Sequence, residues 1–132
     1  MVTAADIVRL DASAVRASVQ VVYRAGPADL ARSTPCPAWT LADLLAHMTA
    51  QHNGFAAAAA GDGADLVRWQ TGAPAADPVG GYAAAAARVL AAFGAPGVLD
   101  RDFALPEINP QLRFPAEQAI GRAAASNAGS RS

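Results

Sequence analysis

Thr34-Pro35-Cys36-Pro37-Ala38-Trp39-Thr40-Leu41-Ala42-Asp43-Leu44-Leu45-Ala46-His47 reads as a rigid turn running into an amphipathic helix. Pro35 and Pro37 forbid regular helix before Trp39, because each fixes φ and lacks an N–H. Thr40 and Asp43 have capping-box spacing, in which the hydroxyl takes the third helical N–H and the carboxylate takes the N–H of the cap. Leu41, Leu44, Leu45, Met48 and Phe55 then mark the inner side of a helix that continues through the alanines of 56–60.

The same grammar extends in both directions. Upstream, Thr3 and Asp6 form another capping box ahead of Ile7, Leu10, Ala14, Ala17 and Val21, one apolar face of a helix reaching about Ala25 before Gly26-Pro27 stops it. Downstream, Gly61-Asp62-Gly63 is a turn and 72–78 a loop. Asp77 caps a third helix with Pro78 in its first turn, the stripe Val79, Tyr82, Ala86, Val89, Leu90 and Phe93, and Gly94 at its stop. From 96 to 114 the chain reads as irregular or briefly extended, anchored by Phe103, Leu105, Ile108 and Leu112. Pro115 opens a fourth helix, of which Ala116 to Ile120 is the well-supported part. From Gly121 the chain carries no large apolar residue, and its Ser, Asn and Gly resemble a disordered terminus. The expectation is an all-α, up-down four-helix bundle with the fourth helix cut short, a helical domain over 1–121 and a disordered tail over 122–132.

Composition bounds what such a domain can do. At 132 residues there is room for one domain, and the apolar share of 53% is dominated by alanine, which favours close-packed helices. All ten basic residues are arginine, which excludes lysine-dependent chemistry: Schiff bases, a pyridoxal phosphate anchor, the phosphate-binding loop of NTPases and the Ser-x-x-Lys nucleophile. Arginine without lysine, amid abundant Ala and Gly, fits a GC-rich bacterial genome. A net charge of −1 with no block of either sign argues against nucleic acid as a partner. One cysteine fits a reducing compartment. Asp6 and Arg9 interrupt any signal-like run, and no stretch reaches the length of a membrane span. The expected location is cytoplasmic.

The Thr34–His47 segment, with its proline-cysteine-tryptophan turn and the histidine eight residues after Trp39, resembles the signature of the mycothiol-dependent maleylpyruvate isomerase N-terminal family, within the DinB-like superfamily of metal-binding four-helix bundles. Supporting pieces are Gln51-His52-Asn53-Gly54-Phe55, the Asp77-Pro78 helix start, Gly97-Val98-Leu99-Asp100, and Phe114 to Gly121, so the resemblance runs from about residue 7 to 121. It implies a divalent metal, most often zinc, held between helices, with His47 as the ligand from the second helix. It further implies mycothiol as a thiol that the metal activates for transfer to an electrophile or for isomerisation. The remaining ligands of the family come from an acid-x-x-x-His pair late in the fourth helix, and nothing after Gly121 supplies either residue. The resemblance assigns no catalytic residue and no residue contacting the thiol.

Read singly, the other candidates are structural. His52 lies five residues beyond His47 and about 140° around the helix, so the two cannot share a metal through one face; it reads as a partly exposed polar residue. Asp43 and Gln51 share the face of His47, with Asp43 read as a capping acid. Cys36 reads as a packed thiol in a proline turn, Trp39 as a staple at the start of the second helix, and Glu117 as an acid whose i+4 partner is Gly121. Two functions stay open. One is a metal-dependent, mycothiol-using enzyme or its metal-binding domain. The other is a truncated, catalytically incompetent helical domain, an interaction module or the product of a degraded gene. A metal site completed by a second chain is a third option, and a homodimer through the uncovered bundle face is the expected response to a short fourth helix.

Overall fold

A computed structural model describes residues 3–32, 39–72, 76–109 and 111–129. These form four α-helices, α1 (Ala4–Val22), α2 (Leu41–Ala59), α3 (Pro78–Phe93) and α4 (Ala116–Gly129), with a two-stranded antiparallel hairpin of β1 (Asp102–Ala104) and β2 (Arg113–Pro115). Short 3-10 turns cover Pro27–Ala31, Leu66–Trp69 and Val98–Asp100. The all-α bundle expected from the sequence is present.

The caps are those the sequence encodes. Thr3 and Thr40 each accept the N–H of the acid three residues on, and Asp6 and Asp43 return the bond to the cap N–H at 3.0 Å in both cases. Asp77 accepts the N–H of Gly80 at 3.1 Å, Pro78 stands in the first turn of α3, and Gly94 ends it. Such a cap is worth about 1 kcal/mol, so capping fixes where the helices start while packing holds them.

The senses of the helices are up, down, down, up. His52 meets Tyr82 and, further along both helices, Phe55 meets Phe93, so α2 and α3 run in the same direction. Ser18 meets Tyr82, while Val8 and Phe93 border one hollow, so α1 runs against α3. Gly121 lies opposite Ile7, and Ala123 shares a cavity with Asp11, so α4 runs with α1. The parallel α2–α3 pair requires a crossover, which residues 60–77 supply through the Leu66–Trp69 turn. Gly54 makes that crossover close: a Cβ there would collide with the Trp69 ring. Trp69 is thereby seated edge-on against Phe55 at 5.1 Å, and Phe55, Phe93 and Phe103 continue the contact through the core. The β-hairpin, with Phe103 paired to Phe114, packs between α2 and α4.

Several expectations are corrected. α1 ends at Val22, and its inward face is Asp11, Ala14, Val15 and Ser18, leaving Leu10 and Val21 more than half exposed at 59% and 52%. The apolar pattern misled because two inward positions are polar. Of the four anchors, Phe103 and Leu105 are buried while Ile108 and Leu112 are exposed. The fourth helix does not stop at Gly121 but stays helical to Gly129. Ala119, Ile120 and Ala123 are buried there, and the helix lies against α1, with Gly121 beside Ile7. Residues 130–132 of the expected tail lie outside the described residues. Among the described residues α4 is the shortest of the four α-helices, and an apolar groove of about 140 Å³ opens between α1 and α2, lined by Val21, Val22, Leu41, Leu44 and Met48 among others. Among the described residues, no helix is long and apolar enough to cross a membrane.

Candidate functional site

His47 projects from the N-terminal half of α2 at a half-buried position, its ring centroid 5.0 Å from that of Trp39. The Thr40 cap places the two together, since it sets the direction in which the chain leaves Trp39 and enters the helix. The side chains that share the His47 face are already engaged. Asp43 accepts from both the N–H and the hydroxyl of Thr40, each at 3.0 Å, which bears out its reading as a capping acid. Gln51 donates through Nε2 to Glu107 at 3.1 Å, reaching across to the β1–β2 connection. Glu117 is exposed on α4. Cys36 lies outside the described residues.

A divalent metal in an open catalytic site needs about three protein ligands. Among the described residues, no three of His, Cys, Asp and Glu come together in a way that could hold one. These residues do not by themselves fit the metal that the resemblance implies.

The second histidine is where sequence reasoning failed. His52 is only 4% exposed, facing into the bundle and not toward solvent. Its Nε2 lies 3.1 Å from Tyr82 Oη, which lies 2.6 Å from Ser18 Oγ, which in turn donates to the Val15 carbonyl at 2.6 Å. The serine has one proton and gives it to the backbone, so the tyrosine must donate to the serine and His52 must donate to the tyrosine. The chain of bonds therefore requires a proton on Nε2, and burial in the bundle favours the neutral ring over the imidazolium. Burial pushes the His52 pKa down to about 4. Burial also raises the Tyr82 phenol, against the opposing pull of its bond to Ser18. One polar line thus ties α1, α2 and α3 together, and Asp11, 1% exposed, borders the same small cavity as His52. A histidine, a tyrosine and a serine separated by tens of residues give no sequence signal of this; only the α3 stripe through Tyr82 was legible.

The family model for the mycothiol maleylpyruvate isomerase N-terminal domain matches residues 12–126, a span that takes in all of α2 and α3 and most of α1 and α4. No curated protein and no solved structure matches. The chain belongs to the mycothiol maleylpyruvate isomerase N-terminal domain family.

Proposed function

We propose that this chain serves as a helical interaction domain of its family and does not by itself carry out metal-activated thiol transfer or isomerisation. The observation that carries this reading is the engagement of the His47 surroundings. The imidazole packs on Trp39, Asp43 is spent on the helix cap, and Gln51 is bonded to Glu107. A single imidazole with water gives weak metal binding, because tight sites need several deprotonated protein ligands held together. What remains is a folded bundle with an apolar groove on the half of α2 that carries His47.

That groove also favours a second reading. A second copy seated on Leu41, Leu44 and Met48 would lie near His47 and could complete a zinc site shared between chains, restoring the family's use of mycothiol. One pair of measurements separates the readings: metal content after dialysis against excess zinc, and sedimentation of the same sample. The interaction-domain reading expects far less than one zinc per chain, with His47→Ala changing nothing. Near-stoichiometric zinc that survives dialysis, is lost in His47→Ala and accompanies a dimer would overturn it in favour of the shared site.

A further inference from the structure

A cavity of about 210 Å³ opens between α2, the Leu66–Trp69 turn, α4 and the β1–β2 connection. Its floor is apolar and buried, with Phe55 at 7%, Trp69 at 5% and Leu105 at 2% exposure. That floor is also fixed, because the Trp69 indole N–H donates to the Gly63 carbonyl at 2.8 Å and its ring meets Phe55 edge-on. The rim carries two opposite charges, Glu107 and Arg122, both exposed. Gln51 holds the Glu107 carboxylate at 3.1 Å. Arg122 is in none of the ion pairs of the described residues, which join Arg9 to Asp6, Arg32 to Asp29 and Arg68 to Asp65. An acid and a guanidinium therefore line one hollow without neutralising each other.

We propose that this cavity binds a small zwitterion with an apolar body, of the α-amino-acid class. The guanidinium of Arg122 would take the carboxylate, a planar match that arginine makes with two parallel N–H bonds. Glu107, steadied by Gln51, takes the ammonium group. The aliphatic side chain lies on Phe55, Trp69 and Leu105, where it removes apolar surface from water. A wholly polar ion gains nothing from such a floor, and a purely apolar molecule leaves both rim charges without a partner. The volume is below the roughly 300–1,000 Å³ of pockets for drug-sized ligands, which limits the occupant to amino-acid size. The proposal is independent of the role assigned to His47.

The test is a titration of the ¹⁵N-labelled chain with L-leucine, followed at the Trp69 indole N–H and the Gln51 side-chain amide. Saturable shifts at both groups are expected, with half-saturation at about 1 mM, the weak end of specific recognition. Arg122→Gln and Glu107→Gln should each weaken binding about tenfold. On the wild-type chain, L-leucine methyl ester, which lacks the carboxylate, and 4-methylpentanoate, which lacks the ammonium, should show the same loss. Both rim residues are exposed, so the variants should melt as the wild type does; where one does not, the ligand series on the wild type decides. Absence of a saturable Trp69 shift with L-leucine would overturn the proposal. Equal saturation by all three ligands would also overturn it, because the cleft would then recognise apolar bulk without charge.

Discussion

Lowering the pH should weaken this fold through His52 well before its carboxylates are neutralised. In the unfolded chain this imidazole takes a proton near its ordinary pKa of 6.5, whereas in the bundle burial holds it at about 4. Between those values the unfolded state binds more protons than the folded one, so stability rises with pH. The contribution is fully present above pH 6.5 and is lost as the pH falls through 4. A shift of that size is worth about 3 kcal/mol over the whole window, of which about 2 kcal/mol falls between pH 7 and pH 5. Against a domain stability of about 5 to 15 kcal/mol, that loss is large enough to read directly. Urea unfolding followed by tryptophan fluorescence, at constant ionic strength in steps from pH 7.5 to 4.5, provides the assay, with buried Trp69 as reporter. His52→Gln is the control, since the amide can keep a donor toward Tyr82 and does not titrate. Asp11 and Tyr82 are the titratable groups facing His52, and both are retained in the variant. The wild type should lose about 2 kcal/mol more than His52→Gln between pH 7 and pH 5. Parallel loss of stability in the two proteins would refute the argument, because His52 would then titrate alike in both states.

The remaining predictions concern packing and caps. Tyr82→Phe removes the hydroxyl that joins Ser18 to His52 and leaves buried polar groups short of a partner, so it should cost about 1 to 3 kcal/mol in a urea melt at neutral pH. Gly54→Ala drives a methyl group into the Trp69 ring and should cost about 1 to 3 kcal/mol, with a shift in Trp69 emission, despite alanine's better helix propensity; unchanged or raised stability would show that the crossover is free to move. Thr40→Ala should lower stability by about 1 kcal/mol through the lost cap of α2, and a Ser replacement should restore most of it.

The sequence alone determined the local decisions. Thr3 with Asp6, Thr40 with Asp43, and Asp77 with Pro78 mark helix starts because a short polar side chain answers an orphan N–H within three residues, a contact that needs no distant partner. The α3 stripe was equally legible, since nearly every inward position on that helix is apolar and spaced at the helical period. The segment ending at His47 was specific enough to point to the family. Tertiary structure decided what depends on residues far apart in the chain. Asp11, Ser18 and His52 face inward because Tyr82 and the crossing helices offer them partners, and no periodicity of apolar residues reports a polar side chain whose partner is tens of residues away. Residues beyond Gly121 are helical because Ile120 and Ala123 find α1 beside them, which propensity and composition could not reveal. The rim of Glu107 and Arg122 likewise exists only once the hairpin has folded between α2 and α4. Short-range hydrogen bonding is written in neighbouring residues, whereas burial is a property of the assembled surfaces.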